Sequence, residues 1–153
     1  MVTVALIATQ TLDAIAAETI AHPEREVCGL LLGEGDRVDR HLSARNAAPD
    51  PRSAFEIDPA TLLRAHRERR RGGPAIIGCF HSHPTGPPEP SRKDAADAEP
   101  SGWLWLILAG GRAKLWRAVP EGAVHGRFDP VPFACVTGPH PSESALPSRK
   151  PSP

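Results

Sequence analysis

Two histidines one residue apart, in His81-Ser82-His83-Pro84, are followed by Asp94 in Ser91-Arg92-Lys93-Asp94, with ten residues between His83 and Asp94. On an extended chain, His81 and His83 point to the same side, as two ligands of one ion must. Two neutral imidazoles and one carboxylate make a good zinc set that leaves the fourth position open to water, whereas a structural site would use four ligands, often thiolates. A water activated in this way needs a base. Pro23-Glu24-Arg25-Glu26 offers two carboxylates just ahead of the apolar run Val27-Cys28-Gly29-Leu30-Leu31-Leu32. Glu26 directly precedes that run, so it is the one expected to be partly desolvated. Glu24 shares its face on an extended chain and stays open as the second candidate. Cys79 lies two residues before His81 and makes a Cys/His/His set conceivable, although it would reach from deeper in the strand.

Each of these residues also has a plain structural reading. A His-x-His pair can end a strand without binding anything. Ser91-x-x-Asp94 has the form of a capping box, whose carboxylate serves a backbone N–H of the first helical turn. The two glutamates could belong to a solvated turn, and Cys28, Cys79 and Cys135 could be small buried apolar residues.

The elements that would position these groups read as an α/β layer structure. Residues 2–8 are apolar and β-branched and predict a strand. A helix over about 11–21 follows, capped by Thr9 or Thr11, with Leu12, Ile15, Ala16 and Ile20 on one face. Residues 26–36 predict a strand closed by a Gly-rich turn, and 37–42 its hairpin partner. Residues 43–57 are mostly loop, with a short strand around Phe55. Asp58 is an N-cap and Pro59 the first residue of the next helix, carrying Leu62, Leu63 and His66 and ending at Gly72-Gly73. Residues 75–80 and 103–109 are apolar on both alternating faces, the mark of central strands covered on both sides. Pro84 forces the chain out of the sheet after the histidines, Ser91 starts a short helix to about Ala98, and 112–119 return as a hairpin strand. The crevice at the carboxyl end of such strands is the usual ligand site of an open α/β sheet.

Composition narrows the class. Hydrophobic residues make up 40% and charged residues 24% of 153, with eighteen basic against eighteen acidic side chains. This is the profile of one soluble globular domain, with no net field directed at nucleic acid or a membrane. The basic run 64–71 reads as the solvated end of a helix. The N-terminal segment lacks a basic leader and is interrupted by Asp13 and Glu18, so neither a signal peptide nor a membrane span is expected. Three cysteines without Cys-x-x-Cys spacing predict reduced thiols and a cytoplasmic protein. The domain is expected over 1–136. Residues 137–153, with five prolines and almost no large apolar side chains, are expected to be a disordered tail.

Taken together, these residues resemble the JAMM (MPN-plus) metalloproteases, in the compact prokaryotic form. The likeness rests on Glu26 in the context Glu-x-Cys-Gly-Leu-Leu-x-Gly, on His81-Ser82-His83-Pro84, and on Ser91-x-x-Asp94 at the family spacing. It covers about residues 3–135. The resemblance implies a cytidine-deaminase-like mixed β-sheet flanked by helices, zinc on His81, His83 and Asp94, Glu26 activating water, and Ser91 stabilising the tetrahedral oxyanion. It also implies a substrate class: amide bonds at the C-terminus of a ubiquitin-like or sulfur-carrier β-grasp protein. Three other readings are weaker. The RadC-like domains, which would suggest a DNA-linked role, carry asparagine where this chain has Ser82. Non-catalytic MPN scaffolds lose ligands that are all kept here. Nucleoside deaminases share the fold but need His-x-Glu and Pro-Cys-x-x-Cys motifs that this sequence lacks.

Overall fold

The computed structural model describes residues 3–137, so nearly all of the expected tail lies outside the described residues. These residues form three helices and a mixed sheet of eight strands. In chain order they are β1 (Ala5–Ala8), α1 (Thr9–Ala21), β2 (Cys28–Glu34), β3 (Arg37–Ala44), α2 (Pro59–Arg70), β4 (Ala75–Ser82), α3 (Arg92–Asp97), β5 (Leu104–Ala109), β6 (Arg112–Gly122), β7 (Gly126–Val131) and β8 (Phe133–Val136). The strand order is β7-β6-β5-β4-β2-β3-β1-β8. β4 and β5 are parallel, as are β1–β3 and β1–β8, and the remaining pairs are antiparallel.

Although β7 and β8 are neighbours in the chain, joined by Pro132 alone, they lie at opposite ends of the strand order. The sheet must therefore curl until its two ends meet. Two contacts tie the closure. The Ala5 amide donates to the Pro132 carbonyl at 2.9 Å, and Arg117 on β6 pairs with Asp36 in the β2–β3 turn at 2.8 Å. Sequence reading did not anticipate β7 or β8, because Pro130 and Pro132 argue against strands. Both strands are at the ends of the sheet, where a proline's missing N–H is tolerated.

The two faces of the sheet bury different clusters. One holds Ile7, Leu31, Val38, Phe80, Leu104, Leu106 and Leu115, covered by Leu12, Ile15 and Ala16 of α1. The other holds Cys79, Trp105, Ile107, Trp116 and Phe128, with Ala95 and Ala98 packed on it from α3 and its C-cap. β5 is buried along its whole length, as its unbroken apolar run predicts. Gly29 in β2 is required by close approach, since a Cβ there would collide with the Leu42 carbonyl and the Phe80 ring.

Three local expectations are corrected. α1 begins directly after β1, so Ala8 occupies the N-cap without a side-chain cap. Thr9 and Thr11 instead donate to strand carbonyls, Val136 at 3.2 Å and Asp39 at 2.8 Å. Ile20 is 75% exposed, so the covered face of α1 stops short of it. In α2 the Asp58 cap is present, accepting from the Thr61 amide at 3.1 Å. Leu63, however, is exposed, and Ala65 is the buried residue of that helix. Arg67, Arg69 and Arg70 occupy its last turn, where cations complement the helix dipole.

Candidate metal centre

His81 sits near the end of β4, between Cys28 of β2 and Ile107 of β5, and is fully buried. The alternation of the strand puts it on the Trp105 face, under α3. After Ser82 the chain leaves the sheet, and the proline-rich segment 84–90 acquires a function. The Pro87 carbonyl accepts from His83 Nδ1 at 2.9 Å, and the Pro88 carbonyl accepts from Trp116 Nε1 at 3.2 Å. A segment that can form neither helix nor central strand thus presents its carbonyls to an imidazole and an indole.

The Pro87 contact also fixes a tautomer. A carbonyl can only accept, so neutral His83 carries its proton on Nδ1 and its Nε2 offers a lone pair. That Nε2 lies 3.0 Å from His81 Nε2 and 3.3 Å from Asp94 Oδ2, and His81 Nε2 lies 3.2 Å from the same oxygen. With both imidazoles neutral and both Nε2 atoms offering lone pairs, three electron-rich atoms this close need a positive centre among them. Tetrahedral ligands with bonds of about 2.0–2.1 Å lie about 3.3 Å apart, so the triangle fits a small metal ion. Including Glu26, ligand atoms of the four residues all lie within 4.8 Å of one another.

Asp94 caps α3 and at the same time faces both imidazoles. Ser91 Oγ accepts from the Asp94 amide at 3.0 Å, and Asp94 Oδ2 accepts from the Ser91 amide at 2.9 Å, a complete capping box. An ionised carboxylate has about four acceptor sites, so the cap leaves Oδ2 able to face both imidazoles. Capping fixes the Asp94 carboxylate in place, and Ser91 keeps its O–H to donate.

Glu26 is 5% exposed, and its Oε1 has no hydrogen-bond partner among the described residues. Burial raises its pKa from 4.5 to about 7, and the Asp94 carboxylate pushes the same way. Burial also lowers the pKa of His81. Burial opposes charge on His83 too, but the nearby Asp94 carboxylate and the Pro87 carbonyl favour the charged ring and outweigh it, so the pKa rises. Burial works against the charge on Asp94 as well, yet the two imidazoles hold its carboxyl far below the usual range.

Three residues that sequence reading did not single out for the site complete it. Ser82 is buried and its Oγ accepts from the Val27 amide at 2.8 Å, while the Ser82 amide donates to the Val27 carbonyl at 2.9 Å. The middle residue of His-x-His thereby clamps the segment that carries Glu26. Phe55 stacks on His81, with centroids 4.2 Å apart at 19°. Asn46 donates to the Glu26 carbonyl at 2.9 Å. A lone aromatic in a loop carries no periodic signal. Asn46 had one, since Asn46-Ala-Ala-Pro is turn chemistry.

The structure brings Glu26, His81, His83 and Asp94 together, with Ser91 at the cap. It does not bring in Glu24, which is exposed and lies 3.6 Å from His22. Cys79 is also outside the group. It packs against Trp105 and Phe128, and burial followed by the Asp94 charge holds its thiol well above the usual range, protonated.

A family model of prokaryotic homologs of the JAB domain matches residues 8–119. A desampylase of Pyrococcus furiosus is 38% identical over 92 residues, 60% of this chain and 65% of that protein. A probable TtuB-protein conjugate cleaving protease of Thermus thermophilus is 38% identical over 85 residues, 53% of this chain and 57% of that protein. The matched part thus spans less than two thirds of either relative. In fold, the chain is similar to a solution structure from Desulfitobacterium hafniense, with a TM-score of 0.74, 24% identity and coverage of 88% of this chain and 94% of that one.

Proposed function

Because the chain belongs to the family of prokaryotic homologs of the JAB domain, we propose that it is a zinc-dependent isopeptidase. Its proposed substrate is a ubiquitin-like or sulfur-carrier β-grasp protein joined through its C-terminus to a peptide, a protein or cysteine. The observation that carries this reading is the buried Glu26 carboxyl, whose Oε1 has no hydrogen-bond partner among the described residues, beside the triangle of His81 Nε2, His83 Nε2 and Asp94 Oδ2. The names of the two relatives, a desampylase and a conjugate-cleaving protease, support the substrate class.

His81, His83 and Asp94 would hold the zinc, a borderline ion suited to this nitrogen and oxygen set. Zinc supplies Lewis acidity there, making water a nucleophile near neutral pH and polarising a carbonyl oxygen. Glu26 takes the proton from the attacking water and then passes it to the leaving amine. In the metal-free centre burial favours the protonated Glu26 carboxyl, which helps it take up a proton, while a cation beside it would favour the carboxylate that gives the proton up. The Ser91 O–H donates to the oxyanion as negative charge develops. Phe55 covers one face of His81 and keeps the ring from turning. Among the described residues, no helix is long and apolar enough to cross a membrane. The three cysteines are free thiols and suit the reducing cytoplasm, where we place the activity.

The test is cleavage. Each β-grasp carrier of the host, fused to a short C-terminal extension, is incubated with the zinc-loaded protein, and the products are read by mass spectrometry. At least one fusion is expected to be cut at the carrier's C-terminus, with activity lost to a chelator and restored by zinc. A zinc-replete protein that cuts none of them contradicts the substrate class.

A further inference from the structure

Asn46 is placed in the loop between β3 and α2, just past the last residue of β3, and its amide is fully used. Nδ2 donates to the carbonyls of Glu26 and Ala54, both at 2.9 Å. Oδ1 accepts from the amides of Ala48 at 3.0 Å and Glu56 at 3.1 Å. Two carbonyls on one side and two N–H groups on the other admit a single orientation, and the complete set needs a primary amide. Aspartate would present an acceptor to two carbonyls. Serine could serve only some of the four partners.

These partners join two functional parts of the centre. One is the backbone of Glu26, which the same loop also holds through the Glu26 amide, donating to Pro51 at 2.7 Å. The other is the pair of residues flanking Phe55. The Phe55 ring lies flat on His81 and meets Trp105 edge-on, with centroids 5.6 Å apart. The loop reinforces the link where Ala47 donates to the Glu56 carbonyl at 2.8 Å. On its other side, the Glu26 segment is clamped to β4 through Val27 and Ser82. Glu26 therefore sits between β4, which carries the two histidines, and a loop organised around one amide.

We propose that Asn46 is the positioning residue of this centre, fixing the Glu26 backbone and the Phe55 ring as one unit over His81. Asn46 reaches no metal ligand itself and acts through these two residues. The inference rests on reading Glu26 as the base, and the experiment separates the two.

Asn46→Asp keeps the size of the side chain and removes both donors. Four proteins are compared at matched zinc content: wild type, Asn46→Asp, Glu26→Gln and the double variant. Hydrogen exchange of the metal-free forms is followed beside single-turnover cleavage of a carrier fusion. Asn46→Asp is expected to fold, bind zinc and lose about 10- to 100-fold in cleavage, the scale of a misplacement of about 1 Å. In the Glu26→Gln background the same substitution should bring almost no further loss, because residues acting through one group are not additive. Amide exchange should quicken together in 25–27 and 54–56. Wild-type cleavage by Asn46→Asp, an undiminished loss in the Glu26→Gln background, or faster exchange in only one segment would overturn the proposal. If Glu26→Gln is itself fully active, the base assignment fails, and the paired exchange still decides whether Asn46 joins the two segments. Asn46→Ser gives the same readings should Asn46→Asp not fold. If neither variant folds, Asn46 is a folding residue and the proposal falls.

Discussion

Replacing Glu26 with glutamine should stabilise the metal-free protein, and the gain should grow as pH rises from 5 to 8. Folding raises the Glu26 pKa from 4.5 to about 7, so over that interval the unfolded chain gives up a proton that the native state keeps. Stability that is fully present below pH 4.5 is lost as pH climbs through the folded value. Glutamine, with nothing to ionise, escapes this loss. At about 1.4 kcal/mol for each tenfold change in acidity, the full effect at pH 8 is about 3 kcal/mol. A cavity of about 130 Å³ beside Glu26 has room for water, and the screening it brings reduces the expected gain to about 1–2 kcal/mol. Urea unfolding of chelator-treated wild type and Glu26→Gln at pH 5, 6.5 and 8 measures it directly. Adding zinc should shrink the gap, since a cation beside Glu26 favours the carboxylate. A gap that is constant with pH, or that widens toward acid, would refute the claim that burial raises the pKa of this carboxyl.

His81→Ala, His83→Ala and Asp94→Ala should each lower zinc occupancy sharply by elemental analysis, while Cys79→Ser should keep it. Full occupancy in Asp94→Ala would reduce Asp94 to a helix cap. Ser82→Ala leaves the buried Val27 amide without its acceptor, and urea unfolding should show a loss of about 1–3 kcal/mol. An unchanged midpoint would remove the clamp from the account. Truncation after Val136 should leave the melting temperature and cleavage unchanged, and a clear fall in melting temperature would show that residues 137–153 pack on the domain.

What could be read from the chain in advance depended on the range of the interactions. The Asp58–Pro59 helix start and the Ser91–Asp94 box are local chemistry, and both stand as their residues predict. The period of a strand placed His81 and His83 on one side, and their imidazoles do converge. β8 was hidden because its pairing with β1 links opposite ends of the domain, as in the Thr9–Val136 contact. Its neighbouring prolines also imitate a loop. Phe55 and Asn46 were hidden because their partners, His81 and Glu26, lie far away in sequence. For Asp94 the difficulty was of another kind. Cap and ligand looked like competing roles, whereas one carboxylate oxygen receives the Ser91 amide and still faces both imidazoles.

The most direct test of the account is whether metal binding and catalysis separate at Glu26. Single-turnover cleavage of a carrier fusion is measured with wild type, Glu26→Gln and Glu24→Gln at matched zinc content. Glu26→Gln should keep zinc and fold but lose at least about 100-fold in rate, the low end for removing general acid–base catalysis. Glu24→Gln, altered at an exposed carboxylate outside the centre, should retain most of its activity. A dead Glu24→Gln beside an active Glu26→Gln would move the base while leaving the metal site standing. Full activity in both would contradict the hydrolytic mechanism itself.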